Sequence, residues 1–239
     1  MLNRKFLGKL SRRNQNPMGS SISPLITMDR KPAYADESFR SIRTQLDFLS
    51  VPSPIKTVLV TSAVAESGKS FVAANLAMVM AQSGRDVILL DADLRRPQLH
   101  SIFQCSQSPG LTTAISKPTL IEEILHETPV SQLKIVPSGP LPPNPVELLA
   151  SAKARDTLDQ LSQHANLVIL DCAPAIAVTD PILLSRYVDG VLYIVRPGHN
   201  SRKADRRAIE LLTQVHARIL GVVINGMRNE AEPVYPLAY

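Results

Sequence analysis

Tryptophan is absent from the 239 residues, and Phe, Trp and Tyr together make up 4% of them. An aromatic platform for stacking single-stranded nucleic acid is therefore not expected. Cysteine occurs twice, as Cys105 and Cys172. Two thiols cannot build a disulfide framework or a four-thiolate zinc site, and they fit a reducing compartment. No apolar run approaches the roughly 18 residues of a membrane span. The opening MLNRKFLGKLSRR carries basic residues throughout and no long apolar core, so it does not read as a secretory signal. A cytoplasmic location is the expectation.

Hydrophobic residues reach 44% and charged residues 20%, the balance of a chain that folds around a core. The length suits one α/β domain with appended segments, since domains usually hold about 100–200 residues and α/β units reach about 250. The net charge of +5 is unevenly spread. Arg4, Lys5, Lys9, Arg12 and Arg13 lie in a leader with no acid before Asp29. This leader reads first as a disordered basic tail. Leu2, Phe6 and Leu10 recur at helical spacing, which leaves an amphipathic surface helix open as the alternative. The division that follows is a basic arm and linker over 1–33, a globular domain over 34–228 and a tail over 229–239.

Within the domain, residues 34–50 have an apolar stripe of Phe39, Ile42, Leu46 and Leu49, which predicts a helix. Apolar, β-rich runs follow at 56–62, 86–93, 133–139, 166–174, 190–198 and 218–226, with helical segments at 70–84 and 201–217. Continuous rather than alternating apolar strands imply burial on both sheet faces. Alternation of strands with helices implies a doubly wound, mostly parallel sheet with helices on both faces. Ligands in such sheets bind beyond the carboxyl ends of the strands.

Three strand ends carry chemistry. After the first comes Ala63-Val64-Ala65-Glu66-Ser67-Gly68-Lys69-Ser70, which is G-x-x-x-x-G-K-[ST] with Ala63 in place of the first glycine. Gly68 lets the backbone approach phosphate oxygens, and the backbone amides with the helix N-terminus stabilise the anion. Lys69 brings a positive charge to the terminal phosphates, and the Ser70 hydroxyl suits Mg2+. A tight strand–helix turn alone would not need Lys69. The second strand ends in Asp91-Ala92-Asp93. On an extended segment these two acids point to the same side, as an acid linked to metal plus a general base; an exposed carboxylate pair is the plain alternative. The fourth ends in Asp171, where the second acid of a P-loop site belongs; a capping aspartate is the plain alternative.

In this combination the sequence resembles the bacterial protein tyrosine kinases, or BY-kinases, that control capsule and exopolysaccharide production. That family shares its fold with the MinD/ParA-type P-loop ATPases. Three motifs carry the likeness beyond a generic ATPase: LLDADLRRPQLHSIF over 89–103, PSGPLPPNPVELLAS over 137–151, and the E-x-x-R-x-x-R pattern of Glu37, Arg40 and Arg43. The resemblance covers about residues 34–228. Glu37 and Arg40 also have the spacing of an ordinary intrahelical ion pair.

The resemblance implies a protein-tyrosine autokinase dependent on ATP and Mg2+. Its nucleotide site would comprise Ala65, Glu66, Ser67, Gly68, Lys69, Ser70, Phe71 and Asn225, the last where related ATPases hold adenine. Ser70, Asp93 and Asp171 would serve the metal, and Lys69, Asp91 and Asp93 the chemistry. The helix of Glu37, Arg40 and Arg43 would dock on a neighbouring subunit and build a ring. Each tail could then offer Tyr235 and Tyr239 to the next subunit's site. A separate membrane adaptor of the polysaccharide chain-length-determinant type would activate the enzyme and hold it at the inner face of the membrane. The sequence departs from the family in its sparse tail tyrosines, and in Ala65-Glu66 where Pro-Gly is common.

A rival reading is a MinD/ParA-type ATPase positioning switch without kinase activity. Many such ATPases carry a second lysine early in the P-loop, and residues 62–67 contain none. Arg202, Lys203, Arg206 and Arg207 open a basic helix, which reads as a solvated face or a subunit contact. No nucleic-acid partner is expected.

Overall fold

The structure is a computed structural model that describes residues 33–51 and 53–227, with side chains from Glu37 onward. The basic arm, the tail with Tyr235 and Tyr239, and the Tyr34 side chain lie outside the described residues. Helix α1 covers Ala33–Leu49, followed by β1 (Thr57–Ser62), α2 (Lys69–Gln82) and β2 (Val87–Asp91). Three short helices follow: α3 (Leu99–Ile102), α4 (Leu111–Ser116) and α5 (Ile121–Ile124). Strands β3 (His126–Glu127) and β4 (Leu133–Val136) precede α6 (Pro145–Ala150), α7 (Ala152–Gln163) and β5 (Leu167–Asp171). The described chain closes with α8 (Asp180–Leu184), β6 (Gly190–Val195), α9 (Arg202–Gln214) and β7 (Ile219–Ile224).

The sheet order is β3-β4-β2-β5-β1-β6-β7, and every pair is parallel except β3 with β4. The expected doubly wound sheet is therefore present. Every residue of β1, β2 and β5 is buried, as continuous apolar runs require between two helical layers. These three strands are neighbours with β5 in the middle, so the chain between β1 and β2 crosses over β5. The loops after β1, β2 and β5 thus emerge side by side at one edge.

One face of the sheet is covered by α1 and α2, the other by α4 to α9. Helix α2 is apolar around most of its circumference because it lies between the sheet and α1, with Ala73, Leu76, Ala77 and Met80 all buried. Phe39 and Leu46 turn α1 toward this layer, and Phe39 meets Phe71 edge-to-face with ring centroids 6.1 Å apart. Glu37 and Arg40 are exposed and Arg43 is half-buried. No described helix is long and apolar enough to cross a membrane.

The sequence runs overestimate strand length at the carboxyl ends. Residues 92–93, 137–139, 172–174 and 196–198 leave the sheet to form the loops of the site. Strand β3 was not foreseen. Two residues make no detectable pattern, and its pairing with β4 carries an exposed Lys134–Glu127 ion pair at 3.1 Å.

Candidate active site

The P-loop begins where β1 ends at Ser62 and finishes in the first turn of α2. Gly68 sits at φ 89°, in the left-handed region, and any side chain there would also run into the Asn225 amide. Glu66 adopts a left-handed φ of 59° as well, a conformation that glycine takes without strain. Glycine at this point of the family's common Pro-Gly pair has that physical basis, and this chain carries glutamate there.

The loop's carbonyls are all engaged on its outer side. Ser62 Oγ donates to Val64 O at 2.7 Å, His199 Nε2 to Ala65 O at 2.8 Å, Arg196 Nη1 to Glu66 O at 2.9 Å and Asn225 Nδ2 to Ser67 O at 3.0 Å. Ser67 Oγ lies 2.9 Å from Val64 O and 3.0 Å from Asn200 Oδ1. Among the described residues, the backbone N–H groups of 65–70 find no protein acceptor. A concave row of such amides at a helix N-terminus is what an anion needs.

A cavity of about 630 Å³ opens over this row, lined by Gly68, Lys69, Ser70, Phe71, Asp93, Arg96 and Gln98 among others. Asp171 lies behind it. The side chain is 1% exposed, and both carboxylate oxygens lack a hydrogen-bond partner. Burial pushes its pKa up to about 7; Ser70 and Lys69 pull it down, and Asp93 raises it. The Ser70 hydroxyl is close enough to lower the pKa as a weak hydrogen-bond donor, at a geometry short of a full hydrogen bond. A buried carboxylate without partners, beside a serine hydroxyl and a phosphate cradle, fits a hard divalent cation. The plain reading of Asp171 as a loop cap does not hold, since it accepts no hydrogen bond.

Asp91 and Asp93 do not share the environment that their spacing suggested. The strand ends at Asp91, whose carboxylate is fully buried and bonded to backbone amides. Oδ2 accepts from Gln98 N and Leu99 N, both at 3.0 Å, and Oδ1 from Asp93 N at 3.3 Å. Burial raises its pKa well above the ordinary value, and Asp171, its register partner on β5, adds to the rise. Asp93 is half-buried and lines the cavity, with Oδ1 accepting from Arg95 N and Arg96 N. That turn is tethered by Arg95, which grips the buried Asp180 carboxylate bidentately at 2.9 and 3.1 Å.

Phe71 lines the cavity from the start of α2. Asn225 was expected beside adenine, and its amide is bonded to the P-loop carbonyl at Ser67. Sequence reasoning missed Arg95, Asp180, Arg196, His199 and Asn200. The run Arg196-Pro197-Gly198-His199-Asn200 follows a buried parallel strand, and the carboxyl-end rule alone would have flagged it. Of the tyrosines within the fold, Tyr193 is buried and donates to Asp205 at 2.9 Å. Tyr187 is half-buried beneath the Arg155 guanidinium, 5.8 Å from the ring centroid.

With this geometry, the chain belongs to the ParA group of P-loop NTPases, a nucleotide-binding fold: a family model described as NUBPL iron-transfer P-loop NTPase matches residues 54–232. Within that group the relatives are narrower. The tyrosine-protein kinase YwqD of Bacillus subtilis is 35% identical over 204 residues, which is 85% of this chain and 86% of that protein. CapB of Staphylococcus aureus is 34% identical over 220 residues, 92% of this chain and 96% of that protein. The kinase domain of the Escherichia coli tyrosine kinase Etk superposes with a TM-score of 0.79 at 33% identity, covering 86% of this chain and 80% of that one. The chain is a member of the bacterial tyrosine-kinase family.

Proposed function

We propose that this chain is an ATP-dependent protein-tyrosine autokinase that regulates capsular or exopolysaccharide synthesis and export. The observation that carries the reading is Asp171, buried with both oxygens unpartnered beside Lys69, Ser70 and a row of unused amides. Such a site is built for phosphate and cation together. Kinship with kinases at 34–35% identity favours this over a positioning switch.

The amides of 65–70 and Lys69 hold the β- and γ-phosphates. Ser70 and Asp171 would hold Mg2+, with Asp93 lining the same cavity. When bound, Mg2+ would supply positive charge that offsets the charge on the phosphates during transfer. Asp93 accepts the proton of a tyrosine hydroxyl, whose unperturbed pKa of about 10 calls for a base near neutrality. The phenolic oxygen forms a bond to the γ-phosphorus, the bond to the β–γ bridging oxygen breaks, and ADP leaves. Asp91 acts beneath, holding the turn at 98–99.

Tyr235 and Tyr239 of a neighbouring subunit are the proposed acceptors, because Tyr193 and Tyr187 are engaged in the fold. The outward face of α1 with Glu37, Arg40 and Arg43 is the proposed ring contact. A membrane adaptor of the chain-length-determinant type is the proposed activator and anchor. Phosphate accumulating on the tails would repel the neighbouring site and open the ring.

Mass spectrometry after incubation with Mg-ATP tests the reading beside Lys69→Met. Phosphate on Tyr235 or Tyr239 in the wild type alone supports it. ATP hydrolysis without phosphotyrosine, even with the adaptor's cytoplasmic segment added, would return the positioning switch.

A further inference from the structure

We propose that the turn after β6, residues 196–200, braces the P-loop, with Arg196 and His199 as positioning residues for the nucleotide. The inference rests on the nucleotide reading above and assigns two residues, more than 120 positions from the P-loop, to its geometry. A peptide unit is planar, so its C=O and the following N–H point in opposite directions. Pinning Ala65 O outward therefore turns the Glu66 amide inward. Pinning Glu66 O does the same for the Ser67 amide. His199 Nε2 and Arg196 Nη1 make those two contacts, at 2.8 and 2.9 Å. Asn225 completes the row on Ser67 O.

The two bonds flank the one non-glycine residue of the loop in a left-handed conformation, Glu66 at φ 59°. Strained backbone of this kind persists only where its surroundings hold it. The turn is itself secured, because Asn200 Nδ2 donates to Asp205 Oδ1 at 2.8 Å, the oxygen that also accepts from Tyr193. Arg196 and His199 are exposed, so removing either leaves the core intact. Without them the peptide units at 65–67 are free to rotate, and the amide row is no longer preset for phosphate.

The test is binding of a fluorescent ADP analogue with Mg2+, alongside backbone 15N order parameters at 66–68 and the denaturant midpoint. Arg196→Ala and His199→Ala should each weaken binding roughly three- to tenfold, the range of one modest hydrogen bond. Backbone 15N order parameters at 66–68 should fall in the nucleotide-free variants, with the midpoint unchanged. His199→Gln, whose amide reaches the position of Nε2, should restore both readouts. Wild-type affinity in both alanine variants would overturn the brace and leave the nucleotide reading standing. Weaker binding without lower order parameters at 66–68 would also overturn it, by making these side chains direct ligands. A wild-type protein that binds no nucleotide would overturn the nucleotide reading itself.

Discussion

Replacing Asp171 by asparagine should change how stability depends on pH more than it changes stability at any one pH. Asp171 is 1% exposed, has no hydrogen-bond partner, and is pushed up to about 7 by burial. In the unfolded chain an aspartate titrates near 3.9. Below about pH 4 both states carry the proton and the group is neutral toward folding. Between about pH 4 and 7 the unfolded chain ionises while the folded protein keeps its proton, so stability falls. Above about pH 7 the loss is complete, at roughly 4 kcal/mol for three units of difference. Most of that change lies between pH 5 and pH 8. Over this interval the wild type should lose about 2–3 kcal/mol more than Asp171→Asn, which does not titrate. Asp91 is raised partly by Asp171, so its own penalty shrinks in the variant and flattens the curve further. The assay is urea unfolding with a chelator and no nucleotide, at pH 5, 6, 7 and 8. Constant differences between the two proteins, such as the cost of housing an amide, cancel in the slope. Parallel curves would refute the account of Asp171 as an uncompensated buried acid. Added Mg-ADP at pH 8 should stabilise the wild type far more than the variant.

Three further outcomes are expected. Asp91→Ala should cost about 2–4 kcal/mol in denaturant unfolding, since it strips the acceptor from the Asp93, Gln98 and Leu99 amides; wild-type stability would deny Asp91 its structural role. Asp93→Asn keeps an oxygen for the Arg95 and Arg96 amides, so it should fold normally yet lose at least about a hundredfold in phosphorylation rate. Glu66→Gly should leave stability within about 1 kcal/mol, as relief of the left-handed conformation offsets the entropy of glycine. It should also tighten nucleotide binding a few-fold at low salt, and no salt-dependent gain would show that the carboxylate points away from the phosphates.

What was legible in the sequence was local. Gly68-Lys69-Ser70 between an apolar strand and a helix, and Asp171 closing another strand, are read within a dozen residues. Strand types followed from continuous apolar runs, because burial on both faces leaves no alternation to misread. The differing fates of Asp91 and Asp93 were not legible. Their i, i+2 spacing has meaning only while the chain stays extended, and it stops doing so when the Asp91 carboxylate gathers the amides of 98 and 99. The brace was legible as a place but not as a set of contacts. The end of a parallel strand marks 196–200 and Asn225 as near the site, but Arg196, His199 and Asn225 meet the P-loop across separations of 130, 134 and 158 residues, and nothing local marks which carbonyl each will bind.

The charges in the site also limit what it can accept. Asp91 and Asp171 are register partners on adjacent strands, Asp93 lies in the next loop, and burial raises both strand acids. Three carboxylates thus crowd the site, beside Lys69 and the unused amides. A phosphate alone would satisfy the amides and add negative charge beside the acids. A divalent cation alone would relieve the acids and leave the amides without an acceptor. Only the pair answers both halves, so each should raise the affinity for the other by the same factor, as linkage requires. Calorimetry of ADP with and without Mg2+ should therefore give strongly coupled binding, reduced in Asp171→Asn. Equal ADP affinity in chelator and in Mg2+ would show that the buried acids serve some other end.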